Sequence, residues 1–246
     1  TEPTSPVRWP IEQAVLAAAK TGRSSYVCFA PVHTIMAGFR SSEHARIVNA
    51  ADLVAPDGMP VVWALRLLGK SNATRVYGPD LMRLVLQCAQ EEAIPVGFYG
   101  GASEDNLGQL LTRLRSEFPR LMVVYRCSPP FRPLTEPEEE QVVENIVSSG
   151  ARILFVGLGG EKQDRWMSAH VGAIPCVMLG VGAAFDFLAG TKAQAPRWIM
   201  RCGMEWAFRL ASEPRRLWRR YLTENPLFVL FFALQRLGVK KFEETI

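Results

Sequence analysis

Asp57 is the residue whose neighbours in the sequence point most directly to chemistry. It stands between Pro56 and Gly58, just past the short strand-like run 52–55. A carboxylate on such a stiff turn projects from the end of a predicted strand, where it can accept a proton from a nucleophilic hydroxyl group. The alternative is that Asp57 caps the helix predicted over 59–68. The pattern alone leaves both roles open.

Two groups of glycines also follow predicted strands. They are Gly100-Gly101 and the set Gly157, Gly159 and Gly160. Glycine at such a turn lets backbone N–H groups approach a phosphate, and the start of the next helix favours negative charge. Neither group is a complete GxGxxG or Walker sequence, so tight turns without a ligand are the simpler interpretation. Lys162 and Gln163, which follow the second group, could supply a cation and an amide, or could belong to a solvated helix start.

No residue pattern typical of a metal site occurs in the sequence. The three histidines fall in no HExxH or HxH motif, the five cysteines form no CxxC pair, and there is no Asp-x-Asp motif. We therefore expect no metal, no cofactor and no disulfide framework, and the scattered cysteines fit a reducing cytosol. His33, just past the first predicted strand, is interpreted from its position as a structural histidine.

Short β-rich runs alternate with helical patterns over the first 190 residues. The predicted strands are 25–32, 52–55, 95–99, 121–125, 152–157 and 175–179, and the predicted helices lie near 11–20, 40–50, 59–68, 80–92, 103–117, 137–149 and 162–171. This alternation predicts an α/β fold with βαβ units and a mainly parallel sheet flanked by helices. Asp80 and Ser103 suit helix caps, and Pro137 suits a first helical turn. Ligands of such sheets bind beyond the carboxyl ends of the strands, where Asp57 and the glycine groups stand.

The C-terminal segment differs from the rest of the chain. Strand patterns stop near residue 190, so we predict one domain over 1–190 and a helical appendage over 191–246. The appendage holds 11 Lys/Arg and 5 Asp/Glu, a balance of +6, whereas the remaining residues hold 17 and 19. Basic charge confined to one segment does not indicate a nucleic-acid-binding surface. The appendage suggests either an interfacial membrane element or a lid packed on the core. Its candidate membrane anchors are Trp198, Trp206, Trp218, Tyr221 and the apolar run 227–234.

Length and composition exclude several classes of protein. With 246 residues, of which 48% are hydrophobic and 21% charged, the chain can build a sizeable core, so global disorder is excluded. No apolar run approaches the roughly 18 to 20 residues of a membrane span. We also expect no signal peptide, because no basic start followed by a long apolar stretch is visible.

Seven segments, taken in order, resemble one protein family. They are 51–59, 75–81, 98–101, 129–132, 155–164, 180–186 and the group of motifs between 195 and 226. Together they resemble the TagA/WecG/CpsF glycosyltransferases of bacterial surface-polysaccharide, teichoic acid and exopolysaccharide synthesis, over about residues 25–236. Each motif is loose by itself, but seven in the same order are specific.

This resemblance implies a Rossmann-like domain followed by a helical C-terminal appendage. It also implies an inverting, metal-independent transfer of a sugar from a UDP-sugar donor to a polyprenyl-diphosphate-linked saccharide acceptor. Such an enzyme would be cytoplasmic and peripheral, bound to the anionic inner face of the bacterial cell membrane. The appendage would both associate with the membrane and complete the active site. A homo-oligomer is compatible with the sequence.

The resemblance also implies roles for single residues. Asp57 matches the general base of the family. The implied donor-binding residues are Arg75, Gly100, Gly101, Gly157, Gly159, Lys162 and Gln163. The candidates for the acceptor or sugar pocket are His33, Asp80 and Arg132. The appendage arginines that could close over the diphosphate are Arg209, Arg215, Arg216, Arg219 and Arg220. Their charges would take the place of a metal ion at the leaving diphosphate.

One motif departs from the family pattern and bears on the donor sugar. Members that use UDP-N-acetylmannosamine carry Thr-x-Asn at the end of the first strand, whereas residues 29–31 here read Phe-Ala-Pro, with His33 two residues on. We therefore expect UDP-glucose, with UDP-N-acetylmannosamine as the alternative. Alternatives from other classes are a nucleotide-dependent oxidoreductase, a sugar-nucleotide sensor and a membrane scaffold. The oxidoreductase needs a GxGxxG with an acidic residue about 20 residues on, which is absent.

Overall fold

A six-stranded parallel β-sheet is the main feature of the fold. The structure is a computed structural model and describes residues 10–239. The strands are β1 (Ser25–Ala30), β2 (Leu53–Pro56), β3 (Val96–Gly100), β4 (Val123–Cys127), β5 (Ile153–Gly157) and β6 (Val177–Gly180), and their order in the sheet is β2-β1-β6-β5-β3-β4. The predicted α/β fold with a parallel sheet is confirmed.

Twelve helices accompany the sheet within the described residues. They are α1 (Pro10–Thr21), α2 (Val32–Arg40), α3 (Ser42–Asn49), α4 (Met59–Leu67), α5 (Gly78–Glu91), α6 (Glu104–Glu117), α7 (Glu136–Ser149), α8 (Gly160–His170), α9 (Ala184–Ala189), α10 (Arg197–Arg201), α11 (Glu205–Ser212) and α12 (Pro214–Arg236). From residue 190 to residue 239 the regular elements are helices, as the sequence predicted.

The inner strands are apolar along their whole length. Every residue of β1, β3 and β6 is buried, and β5 is buried as far as Val156. Strands of a parallel sheet with both faces covered consist of continuous apolar runs, and 153–156 reads Ile-Leu-Phe-Val. The edge strand β4 instead alternates between half-buried and exposed residues.

Several helix starts follow from local capping. The side chain of Ser103 accepts a hydrogen bond from the N–H of Asn106 at the start of α6. Thr135 and Glu138 form a capping box at the start of α7. Because α5 begins at Gly78, Asp80 lies inside its first turn and not at the predicted cap position before Leu81. An acidic side chain in that turn still favours the helix through the positive end of its dipole.

The first strand is shorter than predicted. The strand predicted over 25–32 ends at Ala30, and Val32 begins α2, a helix that the sequence did not suggest. Pro31 stands at the N-cap position of α2 with an extended backbone, φ −70° and ψ 171°. Because the proline ring fixes φ near this value and removes an N–H donor, the strand stops where the helix can start.

The boundaries of α3 and β4 also differ from the predicted ones. The helix predicted over 40–50 is α3, which Ser41 separates from α2, and the side chain of Ser41 accepts a hydrogen bond from the N–H of His44. β4 begins at Val123, two residues later than predicted. The backbone N–H of Leu121 donates to the carbonyl of Phe118 in the turn that precedes the strand.

The chain divides into two compact units, each built from three segments. Within the described residues, the first unit comprises 10–28, 51–53 and 78–192, and the second comprises 29–50, 54–77 and 193–239. Residues 1–9 and 240–246 lie outside the described residues. The charged residues among 240–246 were counted in the net charge of the appendage. The functional division near residue 190 stays a prediction.

The core of the first unit contains a group of three phenylalanine rings. The ring of Phe98 stacks on that of Phe155 at 5.4 Å between centroids and meets the ring of Phe185 edge-on at 5.9 Å. All three side chains are almost completely buried. These contacts tie α9 to the central strands β3 and β5.

Two apolar clusters lie in the described part of the second unit. In one, buried Val32, Met36 and Val61 are covered by Phe228 and Phe231 of α12. The other is formed by Tyr77, Ala195 and Met200, with Ile199 and Phe208 packed against them.

The apolar run 227–234 is therefore divided between two faces of α12. Phe228 and Phe231 pack inward, whereas Val229 and Leu230 are 63% and 51% exposed. Neither α12 nor any other helix of residues 10–239 combines the length and the apolar character needed to cross a membrane.

Candidate active site

Asp57 directly follows β2 in the second unit, on a turn whose backbone is tied down on both sides. Its N–H donates to the carbonyl of Ala30 at 3.3 Å, and the carbonyl of Pro56 accepts from the N–H of Val76 at 2.9 Å. The N-cap residue of α4 is Gly58, and no described side chain caps that helix. The capping alternative for Asp57 is therefore wrong.

Arg75 and Glu205 hold the carboxylate of Asp57 in place. The guanidinium of Arg75 donates from Nε and from Nη2 to Oδ1 of Asp57, both at 3.1 Å, and from Nη2 to Oε2 of Glu205 at 2.5 Å. The guanidinium carbon also lies 4.5 Å from the centroid of the Tyr77 ring. The side chains of Arg75, Asp57 and Glu205 are only 14%, 24% and 12% exposed. Within the described residues, Oδ2 of Asp57 receives no hydrogen bond.

The pKa of Asp57 is raised above that of an ordinary aspartate. Burial is the largest cause, because it disfavours the charged carboxylate, and the negative charge of Glu205 raises the pKa further. Arg75 and Arg209 act in the opposite direction. A raised pKa makes the carboxylate a better proton acceptor, which is what a general base requires.

A cavity of about 110 Å³ opens beside Asp57 in the second unit. Its charged and aromatic lining residues are His33, Asp57, Arg75, Glu205, Trp206, Arg209, Arg220, Tyr221 and Glu224. Trp206 and Tyr221, which the sequence suggested as membrane anchors, line this cavity with their ring centroids 6.2 Å apart. Trp198 and Trp218 are 68% and 47% exposed, as anchors would be.

His33 lies in the first turn of α2 and lines the same cavity. Its Nδ1 is 2.8 Å from Oε2 of Glu224, and Oε1 of Glu224 accepts from Nη2 of Arg40 at 2.9 Å. Glu224, on α12, is buried. His33 is thus both held by the structure and placed at the pocket, which are the two roles that the sequence left open for it.

Two of the five appendage arginines line the cavity. They are Arg209 on α11 and Arg220 on α12. The Nε–H of Arg220 is buried and makes no hydrogen bond to a described residue. Burial is the main cause that lowers the pKa of Arg220, and the positive charge of Arg209 adds to it. A guanidinium in these surroundings is suited to bind an anion such as a phosphate.

The other three appendage arginines are exposed and are not among the residues that line this cavity. Arg216 donates to both carboxylate oxygens of Glu213, at 2.6 and 2.8 Å. The guanidinium carbon of Arg219 lies 5.3 Å from the ring centroid of Trp218. Arg215 precedes them in the first turn of α12.

The glycine groups belong to the first unit, and packing explains part of their presence. A β-carbon at Gly100 would lie 2.5 Å from the carbonyl carbon of Gly157, and one at Gly157 would lie 2.8 Å from the ring of Phe185. The N–H of Gly101 donates to the carbonyl of Gly157 at 3.0 Å. Gly159 differs, because its φ of 81° favours glycine but no atom crowds its β-carbon position. A ligand role for these glycines stays a prediction.

Gln163 supports the turn between β5 and α8 from inside the first unit. Its Oε1 accepts from the N–H of Gly159 at 3.3 Å, and its Nε2 donates to the carbonyl of Gly180 at 2.6 Å. The neighbouring Lys162 is exposed in the first turn of α8.

Asp80 and Arg132 also belong to the first unit. Asp80 is half-buried in the first turn of α5, and Arg132 forms an exposed ion pair with Glu138 at 2.6 Å. Their roles, like that of Lys162, stay predictions. Among the residues that the structure describes, no group of three or more His, Cys, Asp or Glu side chains is arranged to hold a metal ion.

Sequence reasoning missed Glu205, Glu224 and Arg40. Glu205 and Arg209 are four residues apart on α11, as are Arg220 and Glu224 on α12. Side chains at this spacing share one face of a helix. Pairs of opposite charge at this spacing were therefore the available signal that both helices present charge to a common site.

Comparison with known proteins identifies the family. The sequence profile of the "Glycosyl transferase WecG/TagA/CpsF family" matches residues 9–242. An N-acetylglucosaminyldiphosphoundecaprenol N-acetyl-beta-D-mannosaminyltransferase of Bacillus spizizenii is 29% identical over 190 residues, which cover 76% of this chain and 71% of the relative. An enzyme with the same description from Bacillus subtilis (strain 168) is 26% identical over 188 residues, with the same shares. The chain therefore belongs to the WecG/TagA/CpsF family of glycosyltransferases.

Proposed function

We propose that the protein transfers N-acetylmannosamine from UDP-N-acetylmannosamine to N-acetylglucosamine linked to a polyprenyl diphosphate, with Asp57 as general base. The geometry of Asp57 carries this proposal. Arg75 holds Oδ1, while Oδ2 receives no hydrogen bond from the described residues, beside a cavity lined by two arginines of the appendage. An oriented carboxylate with a raised pKa is suited to remove a proton from a sugar hydroxyl group.

The choice of donor sugar is supported by the relatives. Both are described as N-acetylmannosaminyltransferases, which supports the alternative within the family over the UDP-glucose that we expected from the sequence. Their acceptor description likewise supports a diphosphate-linked N-acetylglucosamine. Because the Thr-x-Asn of that group is replaced here, the sugar pocket would use other side chains, and His33 is the candidate at this position.

The proposed reaction is a direct displacement with inversion at the anomeric carbon. The acceptor oxygen forms a bond to that carbon while Asp57 accepts the hydroxyl proton. The bond from the anomeric carbon to the β-phosphate oxygen of UDP breaks on the opposite face, and UDP leaves with the electron pair. One carboxylate is enough, because cations can stabilise the charge that develops on the diphosphate.

Arg209 and Arg220 are the proposed cations for the leaving diphosphate. Both line the cavity that contains Asp57, and the buried Nε–H of Arg220 could donate to a phosphate oxygen. Arg75 is already shared between two carboxylates. We therefore assign Arg75 to the orientation of Asp57 and not to the diphosphate. In this mechanism the guanidinium groups do the work of a metal ion.

Gly157, Gly159, Lys162 and Gln163 are proposed to contribute to the binding of the UDP-sugar donor. Lys162 stands in the first turn of α8, two residues after Gly160, and the start of a helix favours anions. Gln163 would act there by fixing the turn, since its amide already bonds to Gly159 and Gly180.

The appendage is proposed to contact the anionic inner face of the cell membrane, where a lipid-linked acceptor would reside. Trp198, Trp218 and the outward face of α12 at Val229 and Leu230 are exposed. Aromatic and basic residues together are typical of interfacial segments.

A donor screen tests the proposed activity. The full chain is given UDP-N-acetylmannosamine or UDP-glucose together with polyprenyl-diphosphate-linked N-acetylglucosamine in excess EDTA, and UDP release and product mass are measured. We expect product from UDP-N-acetylmannosamine. Product from UDP-glucose alone would overturn the choice of donor, and rescue by Mg²⁺ or Mn²⁺ of an activity lost in EDTA would overturn the metal-free mechanism. No product with either donor would contradict the proposed reaction.

A further inference from the structure

Arg75 does not form the forked pair that arginine and carboxylate groups often make. In a forked pair each carboxylate oxygen receives one N–H. Here Nε and Nη2 of Arg75 converge on Oδ1 of Asp57, both at 3.1 Å, and Nη2 also donates to Oε2 of Glu205 at 2.5 Å. The contact with Glu205 therefore accompanies a guanidinium orientation that leaves Oδ2 of Asp57 uncovered.

Glu205 lies where a second carboxylate beside Asp57 is energetically unfavourable. Its side chain is 12% exposed, in the first turn of α11, and one guanidinium there faces two carboxylates. Taking a carboxylate out of water is unfavourable unless cations or hydrogen bonds compensate for it. Two like charges close together also disfavour each other's ionised form. Packing alone does not explain an acidic residue in this position.

We propose that Glu205 is a positioning residue of the transfer reaction, which draws Arg75 away from Oδ2 of Asp57 and adds a second negative charge beside that carboxylate. The inference rests on the proposed function of Asp57 as general base. With Glu205 in place, Arg75 orients Asp57 through Oδ1, and Oδ2 receives the proton of the acceptor hydroxyl group. Without Glu205, the fork of Arg75 can close over both oxygens and reduce their ability to accept a proton.

Other ionisable groups also surround Asp57. They are Arg75 and Tyr77 from the segment before α5, Arg209 from α11, His33 from α2, and Arg220 and Glu224 from α12. Among those that act on the pKa of Asp57, Arg75 and Arg209 lower it and Glu205 raises it. Loss of the negative charge at Glu205 should therefore lower the pKa of Asp57, and closure of the Arg75 fork would act in the same direction.

The direct test is a carboxyl titration of Asp57 in the full chain, followed by ¹³C NMR. The Asp57→Asn spectrum identifies its signal. Glu205→Gln keeps an oxygen that can accept from Arg75 but removes the charge, and we expect the midpoint of Asp57 to fall by about one pH unit. Glu205→Asp keeps the charge and should stay nearer to the wild type. Glu213→Gln is the matched control, because Glu213 pairs with Arg216 at the other end of α11.

The kinetic test is the pH profile of sugar transfer by the same variants. In Glu205→Gln the acid limb of kcat should move to lower pH and the plateau should fall by about three- to tenfold, because a weaker base accepts the proton less readily. KM for the UDP-sugar should stay close to the wild-type value. Thermal unfolding of each variant, measured first, separates these effects from misfolding.

The outcomes are distinct. A midpoint of Asp57 that is unchanged or higher in Glu205→Gln, or an equal shift in Glu205→Asp, would overturn the inference. A uniform loss of kcat with an unmoved acid limb would do the same, because a merely structural role predicts it. If the midpoint shifts but the wild type transfers no sugar, the proposed function fails while the effect of Glu205 on Asp57 stands.

Discussion

Single residues decide whether the site can take up a proton, and Asp57 gives the clearest expectation. Asp57→Asn keeps the size of the side chain and an oxygen that Arg75 can contact, but an amide cannot act as a base. We expect kcat for sugar transfer to fall by about 10² to 10⁴. UDP binding, measured by calorimetry, should stay close to wild type. The exposed Asp105→Asn, in the first turn of α6, is the matched control and should keep full activity. A near-normal kcat in Asp57→Asn would contradict the assignment.

Asp164 in the first unit predicts a pH dependence of stability. It is 1% exposed on α8, and its pKa is raised to about 7, mainly by burial and in part by the charge of Glu161, while a hydrogen bond with Cys28 lowers it. Because the folded pKa lies above the unfolded value, the folded state binds the extra proton. Stability should therefore fall as the pH rises from about 4 to about 7 and stay level above that.

Asp164→Asn tests this expectation, because the amide removes the ionisation. At pH 8 we expect the variant to be more stable than the wild type, by at most about 4 kcal/mol for a shift of three pKa units. Urea unfolding at several pH values between 4 and 8 measures the effect. Asp105→Asn should keep the slope of the wild type. If the stability of the wild type does not fall over this pH range, the ionisation of Asp164 does not reduce the free energy of unfolding, and the expectation is wrong.

The sequence indicated Asp57 as a candidate site residue, because a proline, a glycine and the end of a predicted strand lie within a few residues of it. Glu205 and Glu224 could not be found in the same way. Arg75 and Glu205 are 130 positions apart, and His33 and Glu224 are 191 positions apart. A carboxylate on an amphipathic helix looks like a solvated residue until the fold buries it. The spacing of opposite charges on α11 and α12 was the one local sign.

At the scale of helices and strands, local residue types explain both the confirmed elements and the errors. Buried strands and capped helices were predicted because apolar runs and cap residues act on their immediate neighbours. The predicted end of β1 was wrong because Val32, a β-branched residue, favours a strand, whereas Pro31 stands at the N-cap of a helix there. The packing of Val32 and Met36 under α12 also favours the helix.

Variants on the two faces of α12 should differ in how much they destabilise the protein. The Phe231 ring lies 4.4 Å from that of Phe39 and covers the cluster of Val32, Met36 and Val61. Phe231→Ala should therefore destabilise the protein by about 1 to 3 kcal/mol, less than a fully buried phenylalanine would. Val229→Ser, on a side chain that is 63% exposed, should change stability by less than about 0.5 kcal/mol. Urea unfolding measures both, and equal losses would contradict the division of α12 into two faces.

On the scale of the whole molecule, the fold class was predicted but the grouping of segments was not. Changes in composition mark a point on the chain, such as residue 190, but they do not show which distant segments pack together. Residues 29–50 and 54–77 group with the C-terminal helices through contacts such as those of Phe228 and Phe231. Removal of the chain after residue 195 would expose that cluster.

The distribution of charge over the molecule supports the proposed membrane contact. Residues 191–246 carry 11 Lys/Arg and 5 Asp/Glu, whereas the other residues carry 17 and 19. Trp198 and Trp218 are exposed in the same segment. A basic segment with exposed tryptophans is attracted to anionic lipid, and each Lys or Arg near the bilayer contributes about 1 kcal/mol.

The chain of 246 residues should therefore bind vesicles that contain phosphatidylglycerol, and bind them through the appendage. Arg215 and Arg219 are exposed in α12. Replacing both with glutamine should weaken vesicle affinity at low salt by about 10- to 30-fold, since two contributions of about 1 kcal/mol are lost. The control is the same replacement at Arg115 and Arg120, which are exposed in the first unit and should not affect binding. Co-sedimentation at low and high salt measures the electrostatic part, because salt shortens the range of charge interactions from about 10 Å at 0.1 M to about 3 Å at 1 M. Equal binding by both double variants, or wild-type binding that does not change with salt, would exclude the basic appendage as the membrane contact.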